Sequence, residues 1–456
     1  MQTPKHIFKA YDIRGLVDGE LSEELAYRIG RSFVHLLRNE GVDFKGSSIV
    51  VGHDMRETSI PFQKCVMQGI TDEGVDVVNI GLTSTPVFNF ACAHIATHVG
   101  GIMITASHNP SEYNGFKITR GNGLPVGKGT GMEDIRDMSI DMEFDAPRGG
   151  GVIGEKDVRG LYEERIFSLV NTEEIAPLHI VIDGGNGMGN VTFSRWLKKL
   201  PVTVTYMYME PDGTFPNHEA NPLKVETLTD LQAKVLEVGA DFGFALDGDA
   251  DRLGLVDEKG VVVDASYVAA LIGLEVLKKN PGAHMLYDLR SSQSIPELWE
   301  AAGATTQKST IGHALIKVLM KETQAIFASE LSLHLYYGDM YNMESTDLSL
   351  LYVLYIASRE KKPLSDIIAP MKTYAHSGEF NFEVEDKDGV MKRIKEIYAE
   401  EANEILEIDG IWMRMPWGWF SVRKSNTEPV LRLNLETHSE EETRMRVAEL
   451  KKYIVS

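Results

Sequence analysis

Cysteine is nearly absent from the chain: Cys65 and Cys92 are the only two in 456 residues. No disulfide framework can be built from one pair, and a reducing compartment is the economical reading. Basic charge is also in short supply. Lys and Arg together number 46 against 67 Asp and Glu, for a formal charge of −21. So acidic a chain lacks the footprint of a general nucleic-acid binder. Local Arg and Lys can still reverse the field inside a cleft that takes an anionic small molecule. Long apolar runs are missing too. The one stretch free of Asp, Glu, Lys and Arg, Val77 to Ser111, is broken by Pro86, Asn89, His94, His98 and Gly100-Gly101. It reads as a buried helix followed by a buried strand, not a membrane span. No apolar signal core follows Met1–Lys5, so the expectation is a cytoplasmic, soluble protein with no membrane partner.

What is present is ordinary globular material. At 43% hydrophobic and 25% charged residues the chain can bury sizeable cores, and its length suggests two to five domains. Leu21, Leu25, Ile29, Phe33 and Leu36 share one helical face, with Ser22 as N-cap and Gly41 beyond the end. Strands over Ser47–Val51, Val75–Ile80 and Gly101–Thr105 alternate with a helix over Pro61–Glu73. A second round of alternation ends with the strand Phe242–Leu246, and a third runs from a helix over Tyr267–Lys278 to a strand over Ile326–Ala328. Such alternation argues for α/β layers with mostly parallel sheets. Beyond about Pro370 the texture changes to short strands, a helix over Met391–Leu406 and a closing helix, which reads as a separate α+β domain. The expected domains are 1–150, 151–257, 258–370 and 371–456.

Ligands of such sheets bind at the carboxyl ends of strands, so the loops there carry the chemistry. Thr105-Ala106-Ser107-His108-Asn109-Pro110 offers Ser107 as a nucleophile or is a structural turn. His108 is not expected to be its base, because neighbours in extended chain face opposite ways, and no G-x-S-x-G elbow is present. Lys117 follows closely enough to return to the same place. Asp247-Gly248-Asp249-Ala250-Asp251-Arg252 is the strongest signal. Alternating carboxylates on a turn converge on a hard cation, and Mg²⁺ takes such oxygens while leaving room for a phosphate. A calcium-binding EF-hand loop is the competing reading, with Glu258 at its twelfth position. It is disfavoured because Arg252 stands where glycine must turn and the flanks look like strands. Gly184 to Gly189 misses the dinucleotide spacing and reads as a tight strand-to-helix turn. Arg423-Lys424-Ser425-Asn426-Thr427-Glu428-Pro429 is either a phosphate cradle or a polar hairpin loop.

Taken in order, these stretches resemble the α-D-phosphohexomutase family, in its phosphomannomutase/phosphoglucomutase branch. The resemblance runs from Phe8-Lys9-Ala10-Tyr11-Asp12-Ile13-Arg14-Gly15 through Gly52-His53-Asp54-Met55-Arg56, Thr105–Pro110, Tyr113–Lys117 and Asp247–Arg252. It continues through Gly312-His313 and Ser329–His334 to Arg423–Pro429. It implies three tandem mixed-sheet α/β domains of similar topology and a C-terminal α+β domain around one central cleft, each giving a loop. By that resemblance Ser107 is the phosphorylated serine, and Asp247, Asp249 and Asp251 hold Mg²⁺, which also touches the group on Ser107. Glu330 and Ser332 read sugar hydroxyls. Arg423, Ser425, Asn426 and Thr427 grip the non-reacting phosphate. Tyr11, Arg14, Lys117, Arg252 and His313 line the reacting end, with Lys117 a candidate acid/base.

The implied reaction moves a phosphoryl group between O1 and O6 of mannose or glucose phosphates through a hexose 1,6-bisphosphate. Activity as a phosphoglucosamine mutase or phosphopentomutase is the alternative within the family. A non-catalytic sugar-phosphate-binding protein and a metal-dependent phosphatase are the alternatives outside it. Either a monomer or a small homo-oligomer is expected. Three departures stand out. Ser329-Glu330-Leu331-Ser332-Leu333-His334 lacks both glycines common in the family's Gly-Glu-x-Ser-Gly-His loop. His53 replaces a common arginine, and Glu219 a common histidine.

Overall fold

The computed structural model describes residues 4–425 and 430–455. Four sheets follow one another along the chain. The first orders its strands Ile13–Leu16, Tyr113–Arg120, His98–Ile104, Ser48–His53, Asp76–Leu82 and Ile153–Glu155. Its first two pairings are antiparallel and the other three parallel. The second and third sheets each combine two parallel with two antiparallel pairings. The fourth is antiparallel throughout. The mixed sheets that the family resemblance implies are borne out, and only the mostly parallel reading of the strand–helix alternation is corrected. Strands such as Leu253–Asp257 return directly through a short loop, and a direct return can only pair antiparallel.

Local signals placed many elements. Ser22 caps the helix Glu23–Asn39 by accepting from the Leu25 N–H at 3.1 Å, which satisfies one of the orphan donors of a helix start. The charge-free stretch forms the strand Asp76–Leu82, the helix Thr85–His94 and the strand His98–Ile104. Among the described residues, no helix is long and apolar enough to cross a membrane.

Two elements went against pattern. The helix expected over Met391–Leu406 runs only over Lys387–Tyr398, because Glu404–Leu406 is captured as an edge strand pairing with Ile411–Met415. The helix Thr346–Glu360 was not foreseen. Twelve of its residues are buried, and a helix covered nearly all round shows no amphipathic stripe.

One apolar core runs through the first three sheets, joining Phe88 and Phe90, Tyr162 and Trp196, and Trp299 and Leu351. Asp347 crosslinks it by accepting from Trp196 Nε1 at 2.8 Å and Tyr162 OH at 3.0 Å. The C-terminal sheet has its own core around Phe420, Leu433 and Ile454. It meets the third sheet through Leu289, Trp412 and Trp419.

Candidate active site

Ser107 sits in the loop after the strand His98–Ile104, nearly buried and at φ +51°. Its N–H donates to Thr105 Oγ1 at 2.9 Å, and its Oγ donates to Asp247 Oδ2 at 2.9 Å. The left-handed backbone removes the premise that the two side chains face apart: His108 Nδ1 lies 3.1 Å from Ser107 Oγ. The opposite-facing argument holds only for extended chain, and Ser107 is not extended. Burial, with Arg252 and Arg14 nearby, holds His108 well below its usual range and therefore uncharged.

The serine and aspartate loops are locked together. A Cβ on Gly248 would stand 2.3 Å from the Ser107 carbonyl oxygen, so only glycine permits this approach. Arg56 ties the serine loop from beneath, donating to the carbonyls of Ser107, Asn109, Pro110 and Tyr113 at 2.5–3.0 Å. Arg56 belongs to the Gly52–Arg56 motif, but nothing local in the sequence signals this role.

Asp247, Asp249 and Asp251 are all buried, with ligand atoms within 4.8 Å of one another. Two strands, Phe242–Leu246 and Leu253–Asp257, flank the loop, and Glu258 is turned away to Ser365, so it is not an EF-hand. Burial and the neighbouring Asp251 and Asp249 push Asp247 well above the usual carboxylate range. Burial opposes the charge on Lys117, but Asp249 and Asp251 outweigh it and raise its affinity for the proton. Lys117 Nζ donates to these two at 2.6 and 2.7 Å. Asp249 Oδ1 is buried without a hydrogen-bond partner. An orphaned, buried carboxylate oxygen beside two further carboxylates on one turn suits a hard divalent cation.

Tyr11, Arg14, Ser107, Lys117, Arg252 and His313 line a single cleft of about 1100 Å³. Tyr11 OH donates to Ile311 O at 3.0 Å, and its ring closes over Gly312. Arg14 bridges Asn109 and Asp12. Arg252 approaches Asp247 at 3.8 Å. Burial, then Lys317 and Lys117, hold His313 well below its usual range, and its Nδ1 has no partner.

Glu330 lies behind this wall, accepting from the Gly312 N–H at 2.9 Å and Tyr336 OH at 2.7 Å. Ser332 Oγ lies 2.9 Å from His334 Nδ1. His334, for which the sequence pattern signals no role, joins the loops by reaching Asp251 at 3.2 Å and Glu330 at 3.3 Å. Burial works against its charge, but Asp251 and Glu330 prevail and raise it to about 9. Leu333, in place of the common glycine, takes φ +70° and is buried.

Arg423 is farther out, on the strand Gly418–Lys424, and directly opposite Arg432 on the neighbouring strand. Arg290 was missed, and it lies between the two regions, 2.5 Å from Asp288 and 4.0 Å from Glu330. Ser425 follows, its N–H donating to Val430 O at 3.0 Å. Asn426 and Thr427 lie outside the described residues. The structure thus gathers the expected reacting-end residues in one cleft, with Glu330, Ser332, Arg423 and Ser425 set around it rather than in its wall.

A cleft at strand ends, holding a buried serine beside a carboxylate triad, suits an enzyme that handles phosphoryl groups. Comparison with known proteins makes this specific. The chain matches the phosphoglucomutase/phosphomannomutase α/β/α domains I, II and III over residues 5–143, 160–260 and 264–374, and the C-terminal domain over 379–452. It is 36% identical over 442 residues to a phosphomannomutase of Escherichia coli K12, covering 95% of both chains. It is 35% identical over 451 residues to a phosphomannomutase of Methanocaldococcus jannaschii, covering 98% of this chain and 97% of the other. A phosphoglucomutase/phosphomannomutase family protein from Burkholderia thailandensis superposes with TM-score 0.90 at 30% identity, over 99% of this chain and 98% of that one. The chain belongs to the phosphoglucomutase/phosphomannomutase family, and it is a phosphohexomutase, an isomerase that transfers phosphoryl groups within its substrate.

Proposed function

We propose that the enzyme interconverts the 1- and 6-phosphates of mannose and glucose through a phosphoserine at Ser107 and a hexose 1,6-bisphosphate. The observation that carries this reading is Ser107 Oγ, buried at the cleft and 2.9 Å from Asp247 of the carboxylate triad. The phosphoryl group on Ser107 passes to the free O6 or O1 of a hexose monophosphate, the P–O bond to Ser107 breaking as that to the sugar forms, and the proton lost by the sugar hydroxyl is balanced by one gained at Ser107 Oγ. The bisphosphate turns over in the cleft and returns its other phosphate to Ser107.

Asp247, Asp249 and Asp251 would hold Mg²⁺, which when bound neutralises charge on the phosphoserine and the transferring group. Arg14 and Arg252 stabilise charge spread over the phosphoryl oxygens. Lys117 is the proposed acid/base group, kept charged by two carboxylates until substrate oxygens compete for it. Glu330 and Ser332 read O3 and O4, which mannose and glucose share, and Arg423 with Ser425 holds the non-reacting phosphate. We place the reaction in the cytoplasm. Intact-mass measurement detecting one phosphate, mapped to Ser107, together with a coupled isomerase assay on both sugars, tests the proposal. Phosphate release without isomerised sugar would refute it.

A further inference from the structure

A carboxylate of the chain already engages one edge of the Arg423 guanidinium, whose Nε is left buried without a hydrogen-bond partner. Glu379, on the edge strand Ala375–Glu383, places Oε2 2.8 Å from Arg423 Nη2 and Oε1 3.2 Å from Arg432 Nη1. One carboxylate therefore spans two guanidiniums that face each other in register across adjacent strands. The placement depends on an irregularity in the strand. The pairing of Ala375–Glu383 with Val430–Thr437 shifts register between His376 and Glu379, and such a bulge re-aims the side chain that follows it.

The charges explain the arrangement. Arg423 is almost wholly buried, and burial, then Arg290, makes its charge costly. Two facing arginines repel each other, and a carboxylate between them removes that cost. A phosphate is the other anion that fits the same pair, since both present oxygens that accept two parallel N–H groups. Phosphate and Glu379 carry charge of the same sign, so they cannot share the pair without repulsion.

We propose that Glu379 is an internal counter-ion for the distal phosphate clamp, occupying the Arg423–Arg432 pair between turnovers and giving way to the substrate's non-reacting phosphate. This rests on the reading of Arg423 as that clamp. Glu379 is a positioning residue, acting through the arginines, and it sets how tightly the clamp holds. A weakened hold suits a reaction in which the bisphosphate must let go of the clamp and rebind with its ends exchanged. Glu379 is also well placed to leave, since its side chain is 28% exposed while that of Arg423 is 3% exposed.

The test uses the full-length enzyme and isothermal titration with inorganic phosphate, alongside steady-state kinetics on glucose 1-phosphate. Glu379→Gln keeps the shape and removes the charge. It should tighten phosphate by about two- to fivefold, the scale of one partly exposed ion pair, and lower KM while kcat stays level or falls. The gain should shrink at high ionic strength. Glu379→Asp keeps the charge and should stay near wild type. Unchanged or weaker phosphate binding in Glu379→Gln, or equal tightening by Glu379→Asp, overturns the proposal. Arg423→Ala separates the two levels. If it loses phosphate while Glu379→Gln changes nothing, only the counter-ion role falls; if it binds phosphate as the wild type does, the clamp reading falls and the counter-ion role with it.

Discussion

Replacing Leu333 by alanine and, separately, by glycine isolates the backbone strain in the loop that carries Glu330 and Ser332. Leu333 holds φ +70° and is 9% exposed. A left-handed backbone costs an L-residue roughly 1–2 kcal/mol, and burial of a leucine side chain returns about 1.5–3 kcal/mol. Both variants forfeit the leucine side chain beyond Cβ, and alanine keeps only the Cβ methyl more than glycine. Alanine keeps the strain, whereas glycine removes it at an entropic cost of about 0.5–1 kcal/mol. Glycine should therefore be the more stable of the two by about 0.5–1 kcal/mol, the reverse of their order at an ordinary helical or strand position. Thermal unfolding followed by tryptophan fluorescence should place Leu333→Gly roughly 1–3 °C above Leu333→Ala, with both below wild type. Alanine melting at or above glycine would refute the strain. The same pair of variants, assayed for kcat/KM on mannose and glucose 1-phosphates, should show a changed sugar ratio for glycine, because the loop then moves freely. An unchanged ratio would detach Leu333 from specificity.

Four further outcomes are expected. Ser107→Ala should lower turnover on the order of 10³-fold or more, because the proposed phosphoryl carrier is gone; full activity in the coupled assay would rule out that role. Asp249→Asn neutralises a hard anionic ligand whose Oδ2 also takes hydrogen bonds from Lys117 and Thr85, so Mg²⁺ titration should show weakened binding. Unchanged calorimetric affinity in Asp249→Asn, and likewise in variants at 247 and 251, would move the metal elsewhere. Arg423→Ala should act mainly on KM and Lys117→Ala mainly on kcat, since one grips in ground and transition states alike and the other acts during chemistry; identical kinetic signatures would dissolve the division between clamp and reacting end. Away from the cleft, burial opposes the charge of Glu73, but Arg38, Arg31 and His35 outweigh it and lower it from 4.5 to about 2. A depressed carboxylate stabilises fully above its unfolded value, so this contribution should fade as pH falls from about 4.5 toward 2, and Glu73→Gln should flatten that limb of the acid-unfolding curve.

The residues of the candidate site were legible in the sequence because family resemblance fixes identities at short, ordered motifs. The Asp247–Arg252 loop needed even less. Alternating carboxylates between two apolar strands already imply converging oxygens, and the structure places them within 4.8 Å. Helix starts such as Ser22 were legible for the same local reason, since a cap acts within three residues.

Other features depend on contacts that no local pattern carries. The stretch Glu404–Leu406 reads as helix until a neighbouring strand offers it hydrogen bonds. The contact between His108 and Ser107 depends on a left-handed serine, held where Gly248 and Arg56 press on the loop from other parts of the chain. Arg56, His334 and Glu379 act across 51, 83 and 44 residues of sequence, and Arg290 sits between the proposed reacting end and the proposed clamp for the same reason. The sequence by itself thus determined which chemical groups the enzyme owns and the local elements that carry them. The tertiary structure alone decided which of those groups face one another, because charge pairing and close approach depend on distance in space, to which spacing along the chain is blind.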